Sequence, residues 1–267
     1  MEFSDINSRG LVLVGCGRMG GAMLRGWLAN GIAPEAVTVI DPNARPELAD
    51  KGVHVNEAPP ADPAVLVLAV KPQMMGDVLH GMNVGPDTLV VSVAAGVTLA
   101  TYGSAFPDAP VVRAMPNTPA AIGRGITALI GNDATAAEDL DRAEALMSVV
   151  GEVVRLQNEA QMDAVTGLSG SGPAYVFHMI EALTEAGVAQ GLSANIALQL
   201  ARATVAGAGA LAMADDTPPA SLREAVTSPN GTTAAGLEVL MDRNTGLPPL
   251  IGRTVAAAAD RSRELGK

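Results

Sequence analysis

The stretch "GCGRMG", residues 15–20, has glycine at its first, third and sixth positions. It follows an apolar run, "LVLVG" at 11–15, and opens a segment with helical spacing, "MGGAMLRGWLAN" at 19–30. In that setting each glycine has a task. Gly15 permits a tight turn, Gly17 lets a pyrophosphate approach the backbone, and Gly20 lets helix and strand pack closely. The start of the helix offers N–H donors and the positive end of its dipole to an anion. Asp41 closes a second apolar run, "VTVID" at 37–41, where an acidic residue is placed to meet a ribose. Together these residues point to binding of a dinucleotide. Asp41 on a ribose 2′-hydroxyl favours NADH, whereas Arg45 pairing with a 2′-phosphate favours NADPH, and inspection leaves that choice open.

A second constellation lies near the end of the chain, "AVTSPNGTTAAG" at 225–236. Pro229, Gly231 and the hydroxyls of Thr227, Ser228, Thr232 and Thr233 interrupt Ala-rich helical sequence. One reading is a connecting turn. The other is a cradle of backbone N–H groups opening a helix, where small anions bind. Spacing alone leaves both open.

General bases are scarce. Lysine occurs only at 51, 71 and 267, and histidine at 54, 80 and 178. Alcohol oxidation requires a base to take the hydroxyl proton. A protonated imine is already electrophilic and needs chiefly a hydride donor and an orienting pocket. The poverty of bases therefore favours imine over alcohol chemistry. Cys16, the one cysteine, has no histidine beside it in sequence and reads as a small loop residue. The stretch "GLSGSG" at 167–172 fails the G-x-S-x-G pattern because Ser171 stands where the second glycine belongs, and no strand precedes it. No metal site is expected.

The elements that must position these residues fall into two halves. Near-continuous apolar runs at 11–15, 37–41, 64–70, 89–96 and 111–115 read as strands covered on both faces, with helical stretches such as 19–30 and 73–82 between them. Two more strands are expected at 126–130 and 152–156, with a helix between. This alternation predicts a doubly wound, mainly parallel sheet of Rossmann type. After about 157 the strands stop, and helices are expected at 173–190, 194–214, 218–226, 232–243 and 248–265, separated by Gly/Pro/Ser/Asp breaks. The expected division is a dinucleotide-binding domain at 1–157 and an all-helical domain at 158–267.

Composition narrows the function classes. Of 267 residues, 48% are hydrophobic but only 2% aromatic, so small aliphatic side chains must build the core. The formal net charge of −11 argues against binding nucleic acid. A single cysteine permits no intramolecular disulfide and fits a reducing compartment. The polar start "MEFSDINSRG" has no apolar signal core, so a cytoplasmic location is expected. The segment 196–214 has bilayer length, but Gln199, Arg202 and its many Ala and Gly residues point to a helix buried against protein rather than a membrane span. Its small-residue run, 200–214, permits close helix crossings, within the chain or between chains.

"GCGRMGGAM" (15–23), "AVKPQ" (69–73), "VSVAAGVTL" (91–99), "VRAMPNTPA" (112–120), "DAVTGLSGSGPAYVF" (163–177) and "LREAVTSPNGTTAAGL" (222–237) follow one another across nearly the whole chain. In these stretches and their order the sequence resembles the pyrroline-5-carboxylate reductase family. The resemblance implies reduction of the imine of 1-pyrroline-5-carboxylate to L-proline with NADPH or NADH, often NADPH. It implies that Gly15, Cys16, Gly17, Arg18, Met19 and Gly20 hold the pyrophosphate. Asn56, Ala69, Val70, Lys71 and Pro72 would border the adenosine ribose and phosphates, and Ala94, Ala95 and Gly96 the nicotinamide side. Glu159, Ser228, Gly231, Thr232 and Thr233 would hold the small-molecule substrate, with Thr233 catalytic and facing the imine nitrogen. The proton donor is left between Thr233 and water. The resemblance also implies an obligate homodimer with intertwined helical halves, each substrate loop completing the partner's site, and decamers in some members. Asn230 departs from the family's Ser-Pro-Gly-Gly; if that position requires φ > 0, Asn is the next most tolerant residue. Two other readings are a β-hydroxyacid-type dehydrogenase, whose family uses a lysine in the helical half, and a non-catalytic nucleotide-sensing dimer. No lysine lies between 72 and 266, and the substrate loop is complete, so neither is preferred.

Overall fold

The computed structural model describes residues 3–82 and 84–266, so Lys267 lies outside the described residues. The chain forms two compact units: Met1–Gly170 with Ala258–Lys267, and Ser171–Ala257.

In chain order, the first unit contains α1 (Ser4–Arg9), β1 (Leu11–Val14), α2 (Arg18–Ala29), β2 (Val37–Ile40), β3 (His54–Val55), β4 (Val65–Leu68), α3 (Met75–His80), β5 (Leu89–Ser92), α4 (Leu99–Ala105), β6 (Val111–Met115), β7 (Gly125–Gly131), α5 (Ala137–Ser148), β8 (Gly151–Arg155) and α6 (Met162–Val165). Among the described residues eight strands make one sheet, in the order β3-β2-β1-β4-β5-β6-β7-β8. Neighbours run parallel except β6 and β7. This is the mainly parallel, doubly wound sheet expected from the apolar runs.

The pleat sorts side chains into two layers. Leu11 and Leu13 of β1 face α2 and α5, packing with Met23, Leu24, Trp27, Leu146 and Met147. Val12 and Val14 face α3 and α4, packing with Met75, Leu79, Tyr102 and Phe106. The buried Trp27 indole N–H donates to the Leu146 carbonyl at 2.8 Å, so the largest core side chain carries no unmet polar group. Strand order reverses at β1, which lies between β2 and β4. The carboxyl ends of β1 and β4 therefore flank the crevice where such sheets take ligands.

Several elements differ from expectation. The strands expected at 64–70 and 89–96 end at Leu68 and Ser92, and the apolar residues that follow form loops instead. The break expected at 167–173 is helical: α6 runs into a π-turn at Thr166–Gly170. The hydroxyls of Thr166 and Ser169 donate back to the carbonyls of Met162 and Val165, at 2.8 and 3.1 Å. Residues that read as loop formers are thus satisfied inside a helix. The last strand ends at Arg155, close to the expected division at 157, whereas the compact unit continues to Gly170. The connecting stretch packs on the sheet, with Met162 buried and the Asn117 amide donating to the Ser169 carbonyl at 3.1 Å.

The second unit contains α7 (Gly172–Ala189), α8 (Ala194–Ala212), α9 (Pro219–Ala225), α10 (Thr232–Leu240) and most of α11 (Leu247–Leu265). Gly187 of α7 lies against Ala197 of α8, so small residues do allow close approach. The end of α11 belongs to the first unit, where the Ser262 hydroxyl donates to Asp163 at 2.6 Å. Among the described residues no helix is long and apolar enough to cross a membrane.

Candidate functional site

The glycines at 15–20 meet the steric demands read from their spacing. Gly15 has φ 91°, and a Cβ there would stand 2.7 Å from the Ala69 carbonyl oxygen. A Cβ on Gly20 would stand 2.1 Å from the Gly15 oxygen, which only glycine avoids. At Gly17 nothing lies within 4 Å of such a Cβ, so this side of the loop is open to an incoming group. Gly17 is also the N-cap of α2 and no side chain caps the helix. The first-turn N–H groups of α2 are therefore left for an anion.

Asp41 immediately follows β2, but its carboxylate turns toward the loop. One oxygen accepts the Cys16 N–H at 2.6 Å and the other the Asn43 N–H at 2.7 Å. Asn56, at φ 55°, brackets the Asp41 backbone: its amide donates to the Asp41 carbonyl at 3.0 Å and accepts the Asp41 N–H at 2.9 Å. Both residues thus shape the rim of the crevice. Burial, reinforced by the Asp41 charge, pushes the half-buried Cys16 thiol above its ordinary range. A cavity of about 960 Å³ opens beside Cys16, Gly17 and Met19. Arg18, Arg25, Arg45 and Lys51 stand on its walls with Glu47.

Ala69, Val70, Lys71 and Pro72 follow β4 and run beside Gly15, with the Ala69 N–H donating to the Val14 carbonyl at 2.7 Å. Ala94, Ala95 and Gly96 follow β5; Ala94 is buried and Gly96 has φ 79°. The carboxyl ends of β1, β2, β4 and β5 therefore bring these expected dinucleotide residues to one end of the sheet.

The remaining expected residues are divided between the units. Ser228, Gly231, Thr232 and Thr233 lie in the second. The Gly231 N–H donates to the Ser228 carbonyl at 3.0 Å, closing a turn with Pro229 and Asn230 at its centre. Asn230 has φ 56°, the conformation a type II turn demands at that position. Gly231 is then the N-cap of α10, with no side chain on the helix start. Turn and N–H cradle are one structure here, and asparagine tolerates the place of the family's glycine.

Glu159 lies in the first unit. It forms an ion pair with the buried Arg113 of β6 and accepts the Leu99 N–H at 2.7 Å. Tyr102 of α4 is fully buried, its hydroxyl hydrogen-bonded to Ser92 Oγ, and burial pushes it up to about 12. Pattern reading does not single out Arg113 or Tyr102. The available signal for Arg113 is a lone arginine inside the apolar run 111–115, because a buried charge demands a partner.

Residues 159–265 match the family described as pyrroline-5-carboxylate reductase dimerisation, and residues 10–96 the family described as NADP oxidoreductase, coenzyme F420-dependent. The chain is 44% identical to a pyrroline-5-carboxylate reductase of Synechocystis, over 96% of this chain and 98% of the relative. The solved pyrroline-5-carboxylate reductase of Coxiella burnetii superposes with a TM-score of 0.87 at 33% identity, covering 97% of this chain and 99% of that one. The Plasmodium falciparum pyrroline carboxylate reductase, solved with NADP bound, gives 0.82 at 27% identity, covering 98% and 99%. With a helical half that matches the dimerisation family and relatives aligned along almost its entire length, this chain belongs to the pyrroline-5-carboxylate reductase family.

Proposed function

We propose that this chain reduces the C=N bond of 1-pyrroline-5-carboxylate to L-proline, with NADPH or NADH as the hydride source. The observation that carries the reading is the intact turn at Ser228–Thr233, whose Asn230 backbone supports the family geometry and whose α10 start is uncapped. The substrate carries a carboxylate and a ring nitrogen. The N–H groups after Gly231, with Ser228 and Thr232, hold the carboxylate, and Thr233 faces the nitrogen; Glu159 stands on the substrate side. Little acid–base machinery is required, in keeping with the absence of lysine between 72 and 266. That absence also disfavours a β-hydroxyacid-type dehydrogenase.

The residues at the carboxyl ends of the strands fit a dinucleotide, since the loop is open at Gly17 and closed to side chains at Gly15 and Gly20. Gly15 to Gly20 hold the pyrophosphate, Asn56 and Ala69 to Pro72 border the adenosine side, and Ala94 to Gly96 border the nicotinamide side. Asp41 already receives two backbone N–H groups, and Arg18, Arg45 and Lys51 line the adjacent cavity. This arrangement favours NADPH, with Arg45 on its 2′-phosphate.

The functional division is a coenzyme domain at 1–157 and a substrate and dimerisation domain at 158–267. The working form is a homodimer in which each substrate loop completes the partner's site, with decamers as a further level of assembly. The exposed apolar helices of the second unit support association. The single cysteine supports a cytoplasmic location. The test is nicotinamide absorbance of purified protein with NADPH or NADH, with and without 1-pyrroline-5-carboxylate. Loss of absorbance only when substrate is added supports the reading; none with either coenzyme refutes it.

A further inference from the structure

The loop between β5 and α4 carries Ala94, Ala95 and Gly96, and both of its ends are tied to one rung of the sheet. Ser92, the last residue of β5, is paired in register with Arg113 of β6. At the loop's entrance Ser92 Oγ accepts the Ala94 N–H at 3.3 Å and bonds the buried Tyr102 hydroxyl. At its exit the Leu99 N–H donates to Glu159 at 2.7 Å, and that same carboxylate oxygen is held by the Arg113 guanidinium. Arg113 is only 7% exposed, so its charge has little water to turn to and Glu159 supplies the compensation. Between the two ties, Gly96 lies against Leu265 of α11.

We infer that Arg113 and Glu159 are positioning residues that hold the nicotinamide-side loop, Ala94 to Gly96, by referring its exit to the same rung that fixes its entrance. The inference rests on the proposed placement of the nicotinamide beside that loop. Glu159 then acts through Leu99 and Arg113, in place of the direct substrate contact that the family resemblance implies. Removing its carboxylate frees the start of α4 and strands a buried guanidinium, and the loop loses its reference point.

The test uses the full chain and two ligands: NADPH, and 2′-phospho-ADP-ribose, which lacks the nicotinamide. For Glu159→Ala, NADPH affinity without substrate is expected to fall about tenfold, the cost of one charge-assisted contact. The fragment's affinity should stay unchanged, and kcat should fall. Glu159→Gln keeps an acceptor for the Leu99 N–H and should recover part of the loss. Equal loss of both ligands indicates general destabilisation and overturns the inference. Unchanged NADPH affinity with a raised KM for 1-pyrroline-5-carboxylate shows a direct substrate role and also overturns it. If Glu159→Ala does not fold, the same two-ligand comparison in Arg113→Lys decides. A wild-type protein that binds NADPH without reducing the substrate refutes the proposed reaction but leaves this binding comparison intact.

Discussion

In the first unit Leu11, Leu13 and Trp27 are completely buried by the chain's own helices; in the second, Phe177 is 59% exposed and Val239 73%. Helices α7, α9 and α10 bury no residue at all, although α7 and α10 are rich in aliphatic side chains. Patches of this kind mark surfaces meant for another molecule. The first unit is a finished core that can present the carboxyl ends of its strands to a coenzyme. The second leaves the apolar faces of its helices uncovered, and the turn proposed to hold substrate leads into one of those helices, α10. Under the proposed reading, the contrast teaches that coenzyme binding and substrate binding have different structural dependencies, one on the fold of a single chain and one on assembly.

The sharpest way to break that contrast is Gly20→Ala. Its methyl would meet the Gly15 carbonyl, so the loop must shift and the folded first unit loses about 3 kcal/mol or more; the displaced N–H cradle should weaken coenzyme binding about a hundredfold. Calorimetric titration with NADPH should show that loss, while light scattering should give an unchanged oligomer. If assembly also fails, the two dependencies are not separate. Thr233→Ala tests the other side: kcat is expected to fall about a hundredfold, the scale of a lost proton-handling group, with NADPH affinity unchanged. Collapse of nucleotide affinity with intact substrate kinetics would place Thr233 elsewhere.

Phe177→Asp puts a charge on the exposed face of α7. It should weaken the dimer by about 2 kcal/mol or more, read as a shift toward monomer in size-exclusion chromatography with light scattering. The monomer should still bind NADPH, and a monomer that does not would erase the contrast. Arg45→Ala should weaken NADPH about tenfold and leave NADH unaffected; equal effects would remove Arg45 from 2′-phosphate recognition. The smallest effect concerns Cys16. Its raised pKa keeps the thiol protonated at neutral pH, so alkylation by iodoacetamide should require higher pH than a free cysteine does. Because the folded state favours the neutral thiol, its contribution to stability holds at low pH and is lost as pH rises through the folded pKa. Asp41→Asn removes a charge that raises it and should move the alkylation profile to lower pH.

Legibility follows physical type. The strands β1, β2 and β4 to β6 show in the sequence because both faces are covered and the runs are continuously apolar. The helices of the second unit show because Pro, Gly and Asp punctuate them. By contrast β3 is two residues long, and the π-turn at Thr166–Gly170 hides behind serines and glycines that spell a loop. At the site, Gly15, Gly20 and the Pro229–Asn230 turn are legible because backbone sterics impose residue types. The Asp41 brace on Cys16 and the Arg113–Glu159 pair are not, since they join residues far apart in sequence and leave no period. The resemblance implies intertwined helical halves, and the structure adds which apolar residues of α7 and α10 one chain leaves uncovered.

The central claim is that hydride passes from the coenzyme to the imine carbon of 1-pyrroline-5-carboxylate. The most direct measurement supplies NADPH deuterated at C4, on the face that donates, and follows the product by mass spectrometry and NMR. The account predicts L-proline carrying one deuterium at C5. Unlabelled proline, or coenzyme consumed without proline, would contradict it.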